Sequence, residues 1–366
     1  MSFIMRHLKL FLTIIFIVII VSGFTLLNPL KEESYSRTDF AMSTMVTIKA
    51  YGNNARQAVY AAVERINEIE SIMSAYKEGS DIWKVNNSMP GESVKVSRET
   101  LEVVGKGLMY SQLTEGSFDI SIKPLVDLWA IGSENPKVPT SNEIENAIER
   151  VDYKNIHIDE EEGTITRLKE GTGIDLGGIA KGYAADEALK ILKENGIQRA
   201  YIDLGGNIAV LGKKKIGWTE YIKSRIQNKR ASMEQDWKVG IQDPFGGRGL
   251  YMAVVELSDK TIVTSGPYER NFEKDGIVYH HILDPFTGYP ASSGLVSATI
   301  ICDNSVDADA LSTSLFLLGE ERGLKFIESL QGVEAITINE HKQVRTTKGL
   351  SGKVIITNDE YKIKTN

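Results

Sequence analysis

Apolar residues recur at helical spacing in several well-separated stretches of this chain. Ala58, Ala62, Ile66 and Ile69 mark one face of a helix expected over residues 55–73, and a second amphipathic helix is expected over 97–114. Ala184, Ala188, Ile191 and Leu192 mark a third, and a fourth is expected over 306–319, closed by Gly319. Extended, β-rich runs lie over 40–51, 199–203, 237–242, 251–257, 261–264 and 278–283. The runs at 251–257 and 261–264 read as a hairpin around Asp259-Lys260, and residues 116–129 as an extended piece after a helix-ending glycine. Residues 31–39 read as a polar linker, 40–340 as one catalytic-size domain and 341–366 as a tail or edge strand. The fold class is α+β, mixed sheets with packed helices.

One stretch organises the rest. Gly173-Ile174-Asp175 reads as a strand end, Leu176-Gly177-Gly178 as a turn and Ala180 onward as a helix, so bare backbone amides lie at the junction. Such amides attract anions, and a phosphate or pyrophosphate is the natural guest. The chain returns at 199–203, where the turn is written again as Asp203-Leu204-Gly205-Gly206, and the whole reads as a βαβ unit. Tight-turn chemistry explains either copy alone; the repetition singles them out. The pattern is neither a Walker loop nor GxGxxG.

Composition narrows the class. The net charge of −7, with no basic face interleaved with aromatics, argues against nucleic acid as a partner. Cys302 is the single cysteine, which excludes internal disulfides and a cysteine-based zinc site. The first thirty residues differ in kind: Arg6, His7 and Lys9 precede an apolar run over 10–27, close to bilayer thickness at ~1.5 Å per residue. A single-pass anchor in the cell membrane is expected, with the body extracytoplasmic; a cleaved, secreted form is the alternative. The basic segment 213–238 reads first as a solvated loop or hairpin insertion, the alternative being a docking surface for a partner protein or anionic lipid.

Further candidates stand outside the turns. Ser80 and Asp81 suggest a capped turn after Tyr76, whose ring suits stacking on a planar partner. Ser117, Phe118 and Asp119 occupy a loop position of the kind that carries ligand contacts. His280 and His281 point to opposite faces of a strand, so only one of them lines a given site. Asp309 and Thr313 are four apart and Asp309 and Ser312 three apart, which puts three oxygens on one helix face. Hard oxygen donors suit Mg²⁺; the alternative is that Asp307 caps the helix and the hydroxyls bond back to the chain.

The order of these motifs resembles the ApbE family of flavin transferases, from Met42-Ser43-Thr44 and Met73 to Tyr76 through 116–119, 175–186, 203–206, 240–244, 264–266 and 281–288 to 307–313. The resemblance implies Mg²⁺-dependent transfer of FMN from FAD, a substrate, to a Ser or Thr hydroxyl of an exported target flavoprotein, with release of AMP. It implies FAD contacts from Met42, Tyr76, Ser117, Phe118, Asp119, Asp175, Lys181 and Leu283. Gly178 through its carbonyl, Asp309 and Thr313 would hold Mg²⁺, with Ser312 standing where the family often has Asp. His281 would be the base, with Asp284 nearby. Ser43 stands where the family usually has glycine, and Pro267 breaks a common Gly-Asp-Tyr pattern. The rival functions are an Mg²⁺-dependent FAD pyrophosphatase giving FMN and AMP, and a non-catalytic flavin-binding module.

Overall fold

The computed structural model describes residues 33–217, 221, 223, 225, 226, 232–247 and 249–364. Its centre is a nine-stranded sheet: β1 (Ser34–Ala41), β2 (Thr44–Tyr51), β3 (Arg199–Leu204), β4 (Asn207–Leu211), β5 (Lys260–Ser265), β6 (Leu295–Cys302), β7 (Glu334–Asn339), β8 (Gln343–Thr346) and β9 (Lys362–Ile363), lying side by side in that order. Neighbours are antiparallel except β8 and β9, which run parallel. Helices α1 (Ala55–Met73), α2 (Ala180–Glu194) and α3 (Ser305–Glu328) pack on one face. A smaller sheet of Trp237–Gln242, Tyr251–Leu257 and Val354–Ile356 covers part of the other.

Strand alternation makes two cores out of one sheet. Val263, Ile300 and Ala335 join the helix-side core, while their neighbours Ile262, Ile301 and Ile336 pack with Trp237, Val239 and Met252 of the smaller sheet. A satellite cluster of Leu125, Trp129, Ile144 and Leu283 sits apart, and the Trp129 indole donates to the Gly288 carbonyl at 2.8 Å.

Several expectations are corrected. The turn at 175–178 does not open a βαβ unit: Gly173 makes only an isolated bridge to Ile122, and β3 pairs antiparallel with β2 and β4. Residues 251–257 and 260–265 form no hairpin, because Asp259, at φ 50°, turns the chain from the small sheet into the large one. Residues 34–39 are edge strand, not linker, with Tyr35, Arg37 and Asp39 half-buried on alternate positions. The stretch 40–51 is the end of β1, a turn at Met42-Ser43 and β2. Lys123–Trp129 is a short helix with Pro124 in its first turn, not an extended piece. Gly319, at φ 76° and ψ 176°, breaks the helical path of α3, which resumes beyond it. The C-terminal strands belong to both sheets. The apolar run at 10–27 lies outside the described residues, among which no helix is long and apolar enough to cross a membrane.

Candidate active site

Two helix starts meet at the glycine-rich turn, and each is capped by the other. Neither α2 nor α3 has a side-chain cap of its own. Asp309 of α3 accepts the Gly182 N–H of α2 at 2.9 Å, while Asp186 of α2 accepts the Ser305 and Val306 N–H groups of α3 at 2.8 and 2.9 Å. Burial lifts the Asp186 carboxyl to about 6, against the pull of those two donors. Asp307 is not the cap; it accepts from Lys106 Nζ at 2.7 Å and the Tyr110 hydroxyl at 2.8 Å. The crossing requires glycine: a Cβ at Gly182 would lie 2.2 Å from the Ser305 carbonyl oxygen and 2.6 Å from Val306 Cα. Gly182→Ala is therefore expected to cost roughly 3 kcal/mol, since backbone on both sides must move. An unchanged urea midpoint would show that the helices slide apart freely.

The turn itself is held locally. Asp175 donates its N–H to the Ile120 carbonyl and accepts the Gly177 N–H, both at 2.8 Å. Burial raises the Asp175 carboxyl, opposed by that N–H and by Lys123 and Lys181. Lys181 Nζ donates to the Gly177 carbonyl at 3.0 Å and lies 3.5 Å from Asp309 Oδ1.

These groups open onto a cavity of about 680 Å³, within the size range of small-molecule sites. It is lined by Met42, Tyr76, Ser117, Phe118, Asp119, Asp175, Gly178, Lys181, His281, Leu283, Asp309 and Thr313. Twelve of the fourteen sequence candidates thus share one wall system; Asp284 and Ser312 do not line it. Asp284 holds its own turn, accepting from Phe286 N–H at 2.8 Å. Ser312 is fully buried, with its hydroxyl 2.9 Å from the Asp309 carbonyl and 2.8 Å from Ser265 Oγ.

Each wall has a physical support. Asp119 accepts the Ser121 N–H and hydroxyl at 2.7 and 2.6 Å and the Tyr153 N–H at 3.0 Å; burial raises its carboxyl against those donors, and the loop 117–121 is fixed around it. Phe118 packs on the diglycine turn, where a Cβ at Gly178 would lie 3.0 Å from its ring and 3.6 Å from Thr313 Oγ1. Tyr76 carries Lys123 Nζ 4.4 Å from its ring centroid, and Lys123 and the Tyr76 hydroxyl both meet Asp127. The residue is 63% exposed and lines the cavity, as a ring that stacks on a planar ligand requires.

Of the two histidines, His280 is buried, with Nε2 3.1 Å from the Ala291 carbonyl and Nδ1 accepting the Ile282 N–H at 3.3 Å. His281 lines the cavity. Its Nδ1 is 3.2 Å from the Arg270 carbonyl, which only accepts, so the proton sits on Nδ1 and the Nε2 lone pair is left for a ligand. Loss of hydration, then the charges of Arg270 and Lys181, push its pKa down to about 3 against that carbonyl, so the ring is neutral at pH 7.

Arg270 has no sequence signal of its own, yet it joins three walls: its carbonyl orients His281, its stem packs on Gly132, and its guanidinium donates to the Ser43 carbonyl at 3.2 Å. Met42 and Ser43 both adopt left-handed backbone, at φ 50° and 59°. Ser43→Gly is expected to raise stability by about 1 kcal/mol, read from the same urea titration; a loss would mean the hydroxyl itself is needed.

For a cation, the candidate donors are Asp309 Oδ1, Thr313 Oγ1 and the Gly178 main chain. Among the described residues there is no group of three His, Cys, Asp or Glu able to hold a metal. One carboxylate among neutral oxygens fits a hard cation that keeps part of its water and takes ligand phosphates, which is the habit of Mg²⁺.

Comparison with known proteins places this geometry. The family model described as the ApbE family matches residues 42–337. A protein of Treponema pallidum named FAD:protein FMN transferase is 32% identical over 333 residues, 88% of this chain and 90% of that protein. One of the same name from Vibrio cholerae is 32% identical over 270 residues, 73% of this chain and 75% of that protein. Among solved structures, the ApbE protein of Thermotoga maritima superposes with a TM-score of 0.76 at 32% identity, covering 88% of this chain and 99% of that one.

Proposed function

The chain belongs to the ApbE family and is a transferase, and on that premise we propose that it moves FMN from FAD to a Ser or Thr hydroxyl of an exported flavoprotein, releasing AMP. The observation that carries this reading is one cavity joining a neutral imidazole, the Lys181 ammonium beside the diglycine turn and a hard-oxygen helix face; the turn's own Gly177, Ile179 and Ala180 N–H groups are not bare, being paired with Asp175 and Leu176. The hydroxyl oxygen of the target attacks the phosphorus that bears riboflavin. The bond from that phosphorus to the oxygen shared with AMP breaks, AMP leaves, and the hydroxyl proton passes to His281 Nε2. Lys181 holds the diphosphate in line, and Tyr76 and Phe118 hold a ring. Asp309, Thr313 and the Gly178 carbonyl would hold Mg²⁺, which when bound offsets diphosphate charge. The apolar run at 10–27 supports an anchored body outside the cytoplasm.

The test mixes the full-length chain, FAD, Mg²⁺ and a target flavoprotein bearing an acceptor Ser or Thr. Covalent FMN on the target with equimolar AMP is expected. Free FMN plus AMP would replace the reading with a pyrophosphatase, and unchanged FAD with a flavin-binding module.

A further inference from the structure

Thr313 Oγ1 faces the diglycine turn, 3.6 Å from where a Cβ on Gly178 would lie. Its side-chain hydrogen-bond partner among the described residues is Ser265 Oγ, at 3.3 Å. Both residues line the cavity and both are half-buried. Ser265 closes β5 and also meets Ser312, at 2.8 Å between the hydroxyl oxygens. Distance alone leaves the direction of these two bonds open, but a proton count fixes it. The Asp309 carbonyl only accepts, so the Ser312 hydroxyl, 2.9 Å from it, spends its proton there. The proton between Ser312 and Ser265 must then come from Ser265. Ser265 has none left for Thr313, so the last bond runs from Thr313 to Ser265. The three hydroxyls form a one-way chain, Thr313 to Ser265 to Ser312 to the Asp309 carbonyl, in which each donates once.

We propose that Ser265 is a positioning residue for the cation. By taking the Thr313 proton it turns the Thr313 lone pairs away from β5 and leaves them for a hard cation, which needs acceptors and is repelled by a hydroxyl proton. Ser312 touches no cation; it is the acceptor that keeps Ser265 from donating to Thr313. A residue that spacing placed among the ligands thus acts two bonds away from them. Without Ser265 the Thr313 hydroxyl is free to rotate, and ordering it becomes part of the cost of binding. The inference rests on the reading above in which Asp309, Thr313 and Gly178 hold Mg²⁺ during FMN transfer.

The test titrates Mg²⁺ calorimetrically into the full-length chain with saturating FAD, every variant carrying His281→Ala so that FAD is not consumed. Ser265→Ala should weaken Mg²⁺ binding about five- to tenfold, and Ser312→Ala, which removes the next acceptor, should weaken it by a smaller factor. The decisive arm is Thr313→Val, which keeps the shape and loses the hydroxyl while Asp309 and the diphosphate still hold the ion. In that background Ser265→Ala should change nothing, because the group it acts through is gone. With His281 restored and a target flavoprotein present, Ser265→Ala should raise the Mg²⁺ concentration that half-saturates transfer by a larger factor than it lowers kcat; a general loosening of the fold would not give that split. Mg²⁺ binding by Ser265→Ala equal to the parent, or an equal loss with and without the Thr313 hydroxyl, overturns the proposal. A parent that takes up FAD but no Mg²⁺ removes the cation reading and this one together, and so is distinguished from failure of Ser265 alone.

Discussion

Replacing His281 with alanine is expected to slow FMN transfer by ~10² to 10⁴, or ~3 to 5 kcal/mol of barrier, while FAD binding stays near that of the parent. The imidazole is held through Nδ1 on the Arg270 carbonyl, which leaves Nε2 for the incoming hydroxyl in the proposed reaction. The environment also fixes a pH signature. With the folded pKa lowered to about 3 from an ordinary 6.5, the folded protein holds fewer protons than the unfolded chain between those values. The stability tied to the neutral ring is thus complete above about 6.5 and is lost as pH falls toward 3. For the free enzyme the base form persists through the same window, so the acid limb of kcat/KM should lie well below the ordinary imidazole range. A limb near 6.5 would mean the ring is solvated, and undiminished transfer by His281→Ala would take it out of the base role.

Asp309→Ala should abolish transfer and the response to Mg²⁺, and should also cost roughly 1 kcal/mol of stability, because Asp309 Oδ2 caps α2 at the Gly182 N–H. The two effects separate in a second variant. Asp309→Asn keeps an acceptor for Gly182 and the fold's shape, but removes the charge, so stability should recover while Mg²⁺ dependence does not. Isothermal titration of Mg²⁺ and a urea melt on both variants read the two consequences independently. Retained, still Mg²⁺-dependent turnover by Asp309→Ala would place the cation elsewhere.

How much of this was legible in the sequence differs between elements. The helix over 55–73 was read to its ends because one stripe, from Ala58 to Ile69, faces the sheet and period alone defines it. Ser80 was readable as a cap because a cap acts within three residues; it accepts the Trp83 N–H. The hairpin expected around Asp259-Lys260 failed for the opposite reason. Alternation in 251–257 and 260–265 says which residues are buried, not which sheet buries them, and both strands face the same inter-sheet core. Ser312 fell on the right helix face by spacing, yet its hydroxyl turned to Ser265 and its own chain. Arg270 and the capping role of Asp186 carry no local pattern, since their partners lie in distant segments.

The sequence by itself determined the longer helices and the Ser80 cap, because each depends on residues a few positions apart. Only the tertiary structure decided that Asp186 and Asp309 exchange caps between two helices, that Gly182 lets those helices touch, and that one imidazole faces the cavity while its neighbour is buried. Orphan N–H groups and buried carboxylates must find partners somewhere, and where the chain supplies none nearby, only packing chooses among the distant ones.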